Sequence, residues 1–219
     1  MDRIADAFAW PFHDPGWLTK ILLIGLILVI PVIGAINGIG WMLSALDRLR
    51  AGDQTLPPAG LQHLGRGMRL FVVFLVYGLA LTAIAGLVYT PAVLILARAG
   101  QGPVSAGLIT LGVLLSVMSY GVATLGFLVL NFATPAIILE TERAGIVGGL
   151  RVSTVLRRCR ASAANTLIAG LMLIAAGFVG SSGAIACGIG ILFTTAYSLA
   201  MQAWIVRSFE VGSTAVAAA

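Results

Sequence analysis

Between Arg160 and Arg207 the chain runs for 46 residues without a formal charge. A helix crossing the hydrocarbon core of a bilayer needs about 20 consecutive apolar residues. The run from Ala161 to Val206 is therefore long enough for two crossings and a tight turn, and Gly180-Ser181-Ser182-Gly183 supplies turn chemistry at the right place. With an arginine at each end, it reads as a helical hairpin that crosses the membrane and returns to the side it left.

The rest of the composition agrees. Of 219 residues, 59% are hydrophobic and only 10% charged, with a mean hydropathy of +1.05. Soluble domains carry about 25% charged residues, so lipid must replace water around much of this surface. The longest polar segment, residues 47–69, is too short for a sizeable soluble domain, and a single membrane domain over 1–219 is expected. The net charge of +5 comes from a basic set in which 12 of 13 residues are arginine. Basic loops beside spans set topology and meet anionic headgroups, which accounts for the charge without nucleic acid. Cys159 and Cys187 form no CxxC pair and no disulfide framework. Residues 1–17 hold Asp2, Asp6 and Asp14 against Arg3, unlike the basic opening of a signal peptide.

In chain order, Phe8, Trp10, Phe12 and Trp17 surround Pro11 and Pro15 and read as an interfacial lead-in, with Asp14 placed to cap the next helix. A first span is expected over 18–46, kinked at Pro31, with a Gly34–Gly38 spacing that admits a close neighbour helix around Asn37. If that span is instead re-entrant, the N-terminus changes side and the rest is unaltered. Further spans are expected over 70–97 and 104–133, the latter kinked or ended between Asn131 and Pro135, and over 164–179 and 184–206. Between them, residues 144–160 place Ile146, Leu150, Ser153 and Leu156 on one helical face and Arg151 and Arg158 on the other, the pattern of a short amphipathic helix lying on the membrane. Arg151, Arg157, Arg158 and Arg160 are its candidate lipid-headgroup contacts. Ala176, Gly180, Ala184 and Gly188 recur every fourth residue and mark a helix-packing seam, as do Gly34 and Gly38. The fold class expected is an all-α polytopic membrane helical bundle of about five transmembrane helices plus the interfacial helix. Segments 47–69 and 140–160 with Arg207 hold ten arginines, which places both segments and the C-terminus in the cytoplasm.

Two stretches carry a family resemblance. Phe12-His13-Asp14-Pro15-Gly16-Trp17, Ile30-Pro31-Val32-Ile33-Gly34, Gly38-Ile39-Gly40-Trp41, Arg48 and Leu56-Pro57 form the first; Pro135-Ala136-Ile137-Ile138-Leu139-Glu140, Gly145 and Gly149-Leu150-Arg151-Val152-Ser153 form the second. Together they cover most of the chain, which resembles the domain-of-unknown-function 4013 family of prokaryotic membrane proteins. Trp41 stands where the family usually has tyrosine. The resemblance implies a fold type and a prokaryotic cytoplasmic (inner) membrane, and no catalytic residue.

Reactive chemistry is thinly supplied. His13 and His63 are the only histidines, both outside the expected spans, and neither has a second histidine or cysteine at metal-ligand spacing. No cofactor or metal is expected, and no buried haem, since an axial histidine within a span is missing. Glu140 and Glu142 are paired carboxylates, a pattern that can do acid–base work, but negative charge at the start of an interfacial helix with Arg143 in range accounts for them. Apart from Lys20 at the start of the first, the spans hold only uncharged polar groups, among them Asn37, Tyr77, Tyr120, Asn131, Thr194 and Gln202. The expected function is a non-catalytic accessory or scaffolding subunit that packs against other integral membrane subunits. The alternative is a transporter or channel for a neutral or lipidic solute, hinged at Pro31 and Pro135.

Overall fold

The computed structural model describes residues 6–100, 102, 105–185 and 190–217, the last three by backbone alone. Among these every regular element is a helix. The helices are α1 (Asp6–Ala9), α2 (Trp17–Leu28), α3 (Ile33–Arg50), α4 (Leu64–Ala99), α5 (Ala106–Leu150), α6 (Val152–Ala161), α7 (Ala163–Ser182) and α8 (Gly190–Ala217), with single 3-10 turns at Trp10–His13, Leu61–His63 and Gly183–Ile185. Three helical stretches among the described residues, Leu61–Ala99, Ala106–Leu150 and Ala163–Ile185, are long and apolar enough to cross a membrane. The chain divides into two compact units, residues 1–73 with 131–219 and residues 74–130.

In the first unit, α8 packs against α7, α3 and α2. The single kinked span expected over 18–46 is corrected to two helices: the helix stops at Leu28 and restarts at Ile33, and Val32 at φ 64° turns the chain between them. A positive φ at a β-branched residue is costly and persists only where the surroundings enforce it. Here Pro31 begins the reversal, and the backbone N–H of Gly34 donates to the Ile30 carbonyl at 2.8 Å. Lys20 and Trp41 donate to the adjacent carbonyls of Leu56 and Pro57, so α2 folds back along α3. The 12 residues of α2 rise only ~18 Å, short of the ~30 Å hydrocarbon core.

Glycines set the crossings. A Cβ on Gly67 would collide with the Ile36 carbonyl, and one on Gly40 with that of His63, so α3 and α4 meet backbone to backbone. A Cβ on Gly25 would stand 2.7 Å from the Leu192 carbonyl oxygen, where α2 meets α8. The aromatic lead-in is not wholly interfacial: Trp10 is 2% exposed, and its Nε1 donates to the Ala200 carbonyl at 3.2 Å.

α5 passes through Pro135 and leaves helical geometry only at Ala144 and Gly145, the latter at φ 68°. The expected break at Asn131–Pro135 is thus displaced to Gly145, because glycine occupies positive φ without a side-chain penalty. The expected interfacial helix over 144–160 is likewise divided: its first turn belongs to α5, and a second break at Arg151 starts α6.

The second unit is an antiparallel pair made from the α4 and α5 residues between 74 and 130. Ser119 Oγ donates to the Ala85 carbonyl at 2.9 Å, and Leu81 covers Gly126 while Leu96 covers Gly112. Most other side chains of the pair are exposed, including Leu79, Leu87, Leu94, Leu114, Val117 and Leu125.

Candidate functional site

Six charged side chains of the first unit gather in one place. Asp47 and Arg50 lie in the last turn of α3, Arg66 in the first turn of α4, Glu142 in α5, and Arg207 and Glu210 in α8. Arg66 bonds Asp47 and, at 2.9 Å, Glu142. Arg50 holds Glu210 through both Nε and Nη2, at 3.0 and 2.9 Å, and approaches Asp47 and Glu142. Arg207 adds a second cation to Glu210 at 2.9 Å. A fork of two parallel N–H donors on one carboxylate fixes geometry as well as charge. Burial pushes the Asp47 carboxyl up, but the bonds and charges of Arg66 and Arg50 prevail and hold it below its ordinary range. Glu210 is likewise raised by burial and lowered, on balance, by Arg50 and Arg207.

A buried carboxylate, Asp14, fixes the N-terminal segment. Asp14 receives Lys20 Nζ at 2.6 Å and the backbone N–H groups of Gly16 and Leu56 at 2.7 and 2.8 Å. Burial raises its pKa, and these bonds outweigh burial and lower it. His63 bridges Ser44 Oγ and the Pro58 carbonyl, at 3.0 and 2.9 Å.

Glu140 and Glu142 are not at a helix start, and Arg143 pairs with neither. Both carboxylates lie within α5. Glu140 is buried and bonded by Arg158 Nη1 at 2.6 Å. Around this pair opens a cavity of about 420 Å³ lined by Glu140, Arg143, Thr154, Arg157, Arg158 and Ser162, with Ser213 and Thr214 on its α8 side. Arg143 and Arg158 also line a neighbouring cavity of about 390 Å³ that reaches Arg50, Glu142 and Glu210. Arg143 and Arg157 make no hydrogen bond or ion pair among the described residues.

The predicted headgroup arginines therefore separate. Arg151, Arg157 and Arg160 are exposed, whereas Arg158 is engaged by Glu140. Of the packing residues, Gly34 abuts Ile27 and Leu28, Gly38 meets the side chains of Leu28 and Leu199, Ala176 is fully buried, and Gly180 lies against Ser198. Thr194 Oγ1 closes the α7–α8 seam by donating to the Gly180 carbonyl at 2.7 Å. Ala184 is exposed in the turn after α7, and Gly188 lies outside the described residues. Pro31 stands at the α2–α3 reversal; Pro135 is buried inside α5. Asn37 is buried, donating Nδ2 to the Gly60 carbonyl at 3.0 Å, and its Oδ1 has no partner. Among the described residues no group of three or more His, Cys, Asp or Glu side chains is placed to hold a metal ion.

The second unit carries an open apolar groove of about 480 Å³ between its helices, lined by Leu81, Thr82, Gly86, Tyr89, Tyr120 and Phe127, among others. Gly78 and Gly86 on α4, with Gly107 and Gly121 on α5, have open space where a Cβ would stand.

Sequence reasoning missed Arg143 as one of the cations left unpaired among the described residues, and Glu142 and Glu210 as network members. Arg143 was legible only as a neighbour of two glutamates. The family described as protein of unknown function (DUF4013) matches the chain over residues 23–206. No curated protein and no solved structure matches it.

Proposed function

This chain belongs to the DUF4013 family, and we propose that it serves as a non-catalytic scaffold of the prokaryotic cytoplasmic membrane, packing against other integral membrane subunits. The supporting observation is the face of α4 formed by Gly78, Thr82 and Gly86. These residues recur at intervals of four, and among the described residues no atom stands within 4 Å of where a Cβ on either glycine would be. An interior glycine costs a helix about 1 kcal/mol relative to alanine. Against lipid that cost has no return, whereas against a second helix it permits close backbone approach. In this reading α4, α5, α7 and α8 cross the bilayer, α2 and α3 form a re-entrant hairpin, and both arginine-rich segments face the cytoplasm. That count is four crossings rather than the five anticipated.

Extraction in a mild detergent followed by native mass spectrometry tests the proposal. A co-purifying integral membrane subunit, released by Gly86→Leu, is expected. A chain that emerges alone, or a complex indifferent to Gly86→Leu, contradicts it.

One observation favours the transporter alternative. The α2–α3 break lies beside the buried Asn37, whose Oδ1 is left without a partner. Reconstituted vesicles that pass no neutral solute faster than empty ones would eliminate that reading.

A further inference from the structure

The cavity between the end of α5, α6 and α8 has the makings of an anion site, and this goes beyond the scaffold reading without depending on it. Three guanidinium groups, Arg143, Arg157 and Arg158, line one cavity with a single carboxylate, Glu140. Three positive charges against one negative leave a formal excess of two. The roles within the set differ. Glu140 is buried and holds Arg158 at 2.6 Å, so one guanidinium is fixed in place and its other N–H groups remain available. Arg143 and Arg157 spend none of their donors on protein among the described residues. Each offers the planar fork that matches two oxygens of a phosphate. Thr154, in the first turn of α6, adds a hydroxyl to the same wall, and its own backbone N–H is already bonded to Arg151. Ser213 and Thr214 do not compete as donors, because their hydroxyls already donate to backbone carbonyls of α8.

We propose that this cavity binds a phosphate group, with Arg143 and Arg157 as the ligating cations and the Glu140–Arg158 pair as the fixed base of the site. The shared chemistry is a tetrahedral oxyanion met by forked donors. Two sources can supply it, an anionic lipid headgroup or free phosphate. The apolar flank favours lipid: Val152 and Leu156 are exposed on the same short helix, beside a further depression that Leu156 shares with Arg157 and Arg160. Such a helix buries its apolar side chains at the membrane surface while its arginines meet headgroups.

The test uses the full chain, delipidated in detergent, and native mass spectrometry with three probes: phosphatidylglycerol, phosphatidylcholine and inorganic phosphate. The wild-type chain is expected to retain phosphatidylglycerol at least tenfold better than phosphatidylcholine. R143Q/R157Q should lose that preference. R69Q removes an exposed arginine that does not line the cavity, and should stay within twofold of wild type. Retention of phosphatidylglycerol that millimolar phosphate does not displace assigns the site to a headgroup; displacement by phosphate assigns it to the free anion. Equal retention of the two lipids with no phosphate binding overturns the site. So does a loss in R69Q as large as in R143Q/R157Q, which would mean diffuse charge rather than a cavity.

Discussion

Arg66 and Glu142 are 76 residues apart in sequence, and their side chains meet at 2.9 Å. The pair joins the first arginine-rich segment to the second, and through Arg50 the same network reaches Glu210 near the other end of the chain. The helices that converge there are joined by ion pairs as well as by buried apolar side chains such as Leu46, Leu70 and Phe209.

The side chains of this pair are 35% and 25% exposed, so its coupling is modest. A double-mutant cycle with Arg66→Gln and Glu142→Gln, read by thermal unfolding in detergent, should give about 0.5–1 kcal/mol at low salt. Raising the salt concentration should shrink it, since exposed pairs are screened. A coupling of zero at low salt would mean that the two groups do not meet.

The buried pair behaves differently. Arg158→Ala leaves Glu140 buried without its cation and should cost about 3–5 kcal/mol. Arg157→Ala removes an exposed side chain with no partner among the described residues and should fall within about 0.5 kcal/mol of wild type. Unfolding midpoints of the two variants in the same detergent decide this, and similar losses would contradict the pairing.

Acid should loosen the first unit through Asp14, Asp47 and Glu210, whose carboxyls are all held below their ordinary values. A lowered folded pKa contributes stability that is complete above the unfolded value and disappears as pH falls through the folded one. Stability should therefore be level near neutrality and decline below about pH 4. Asp14→Asn should lower the neutral-pH plateau and flatten the decline. A variant with an unchanged acid limb would remove Asp14 from the explanation.

Glycine positions separate internal packing from outward-facing surface. Gly40→Ala or Gly67→Ala forces a methyl into the opposing backbone of α3 and α4. Overpacking of this kind costs about 1–3 kcal/mol or more. Gly121→Ala meets open space and should stabilise the isolated chain by up to about 1 kcal/mol through helix propensity. Equal destabilisation by all three would refute the α3–α4 crossing.

Local rules made much of the fold legible. The neutral run ending at Val206 and the Gly180–Gly183 turn gave α7 and its exit, because turn chemistry and hydrocarbon length both act over short distances. The amphipathic pattern over residues 144–160 contained α6 but not the break at Arg151 that starts it. The reversal at Pro31 was visible as a kink but not as a fold-back, since the deciding contacts, Lys20 and Trp41 on Leu56 and Pro57, come from a later loop. Pro135 misled for a related reason. A proline inside a helix removes one backbone bond, a loss that packing can absorb, whereas Gly145 at positive φ ends the run outright. The charged site was illegible because its partners lie 76 and 160 residues apart, beyond the reach of any periodicity.

The arrangement of both arginine-rich segments on one side of a bilayer, with the α7 exit on the other, is tested most directly by labelling single cysteines with an impermeant maleimide. Gln54→Cys, Arg151→Cys and Ser182→Cys are exposed positions, each to be placed in a chain whose Cys159 and Cys187 are replaced by serine. In inside-out vesicles Gln54→Cys and Arg151→Cys should label together while Ser182→Cys stays protected, and right-side-out vesicles should reverse the pattern. Labelling of Gln54→Cys and Arg151→Cys from opposite faces would contradict the account.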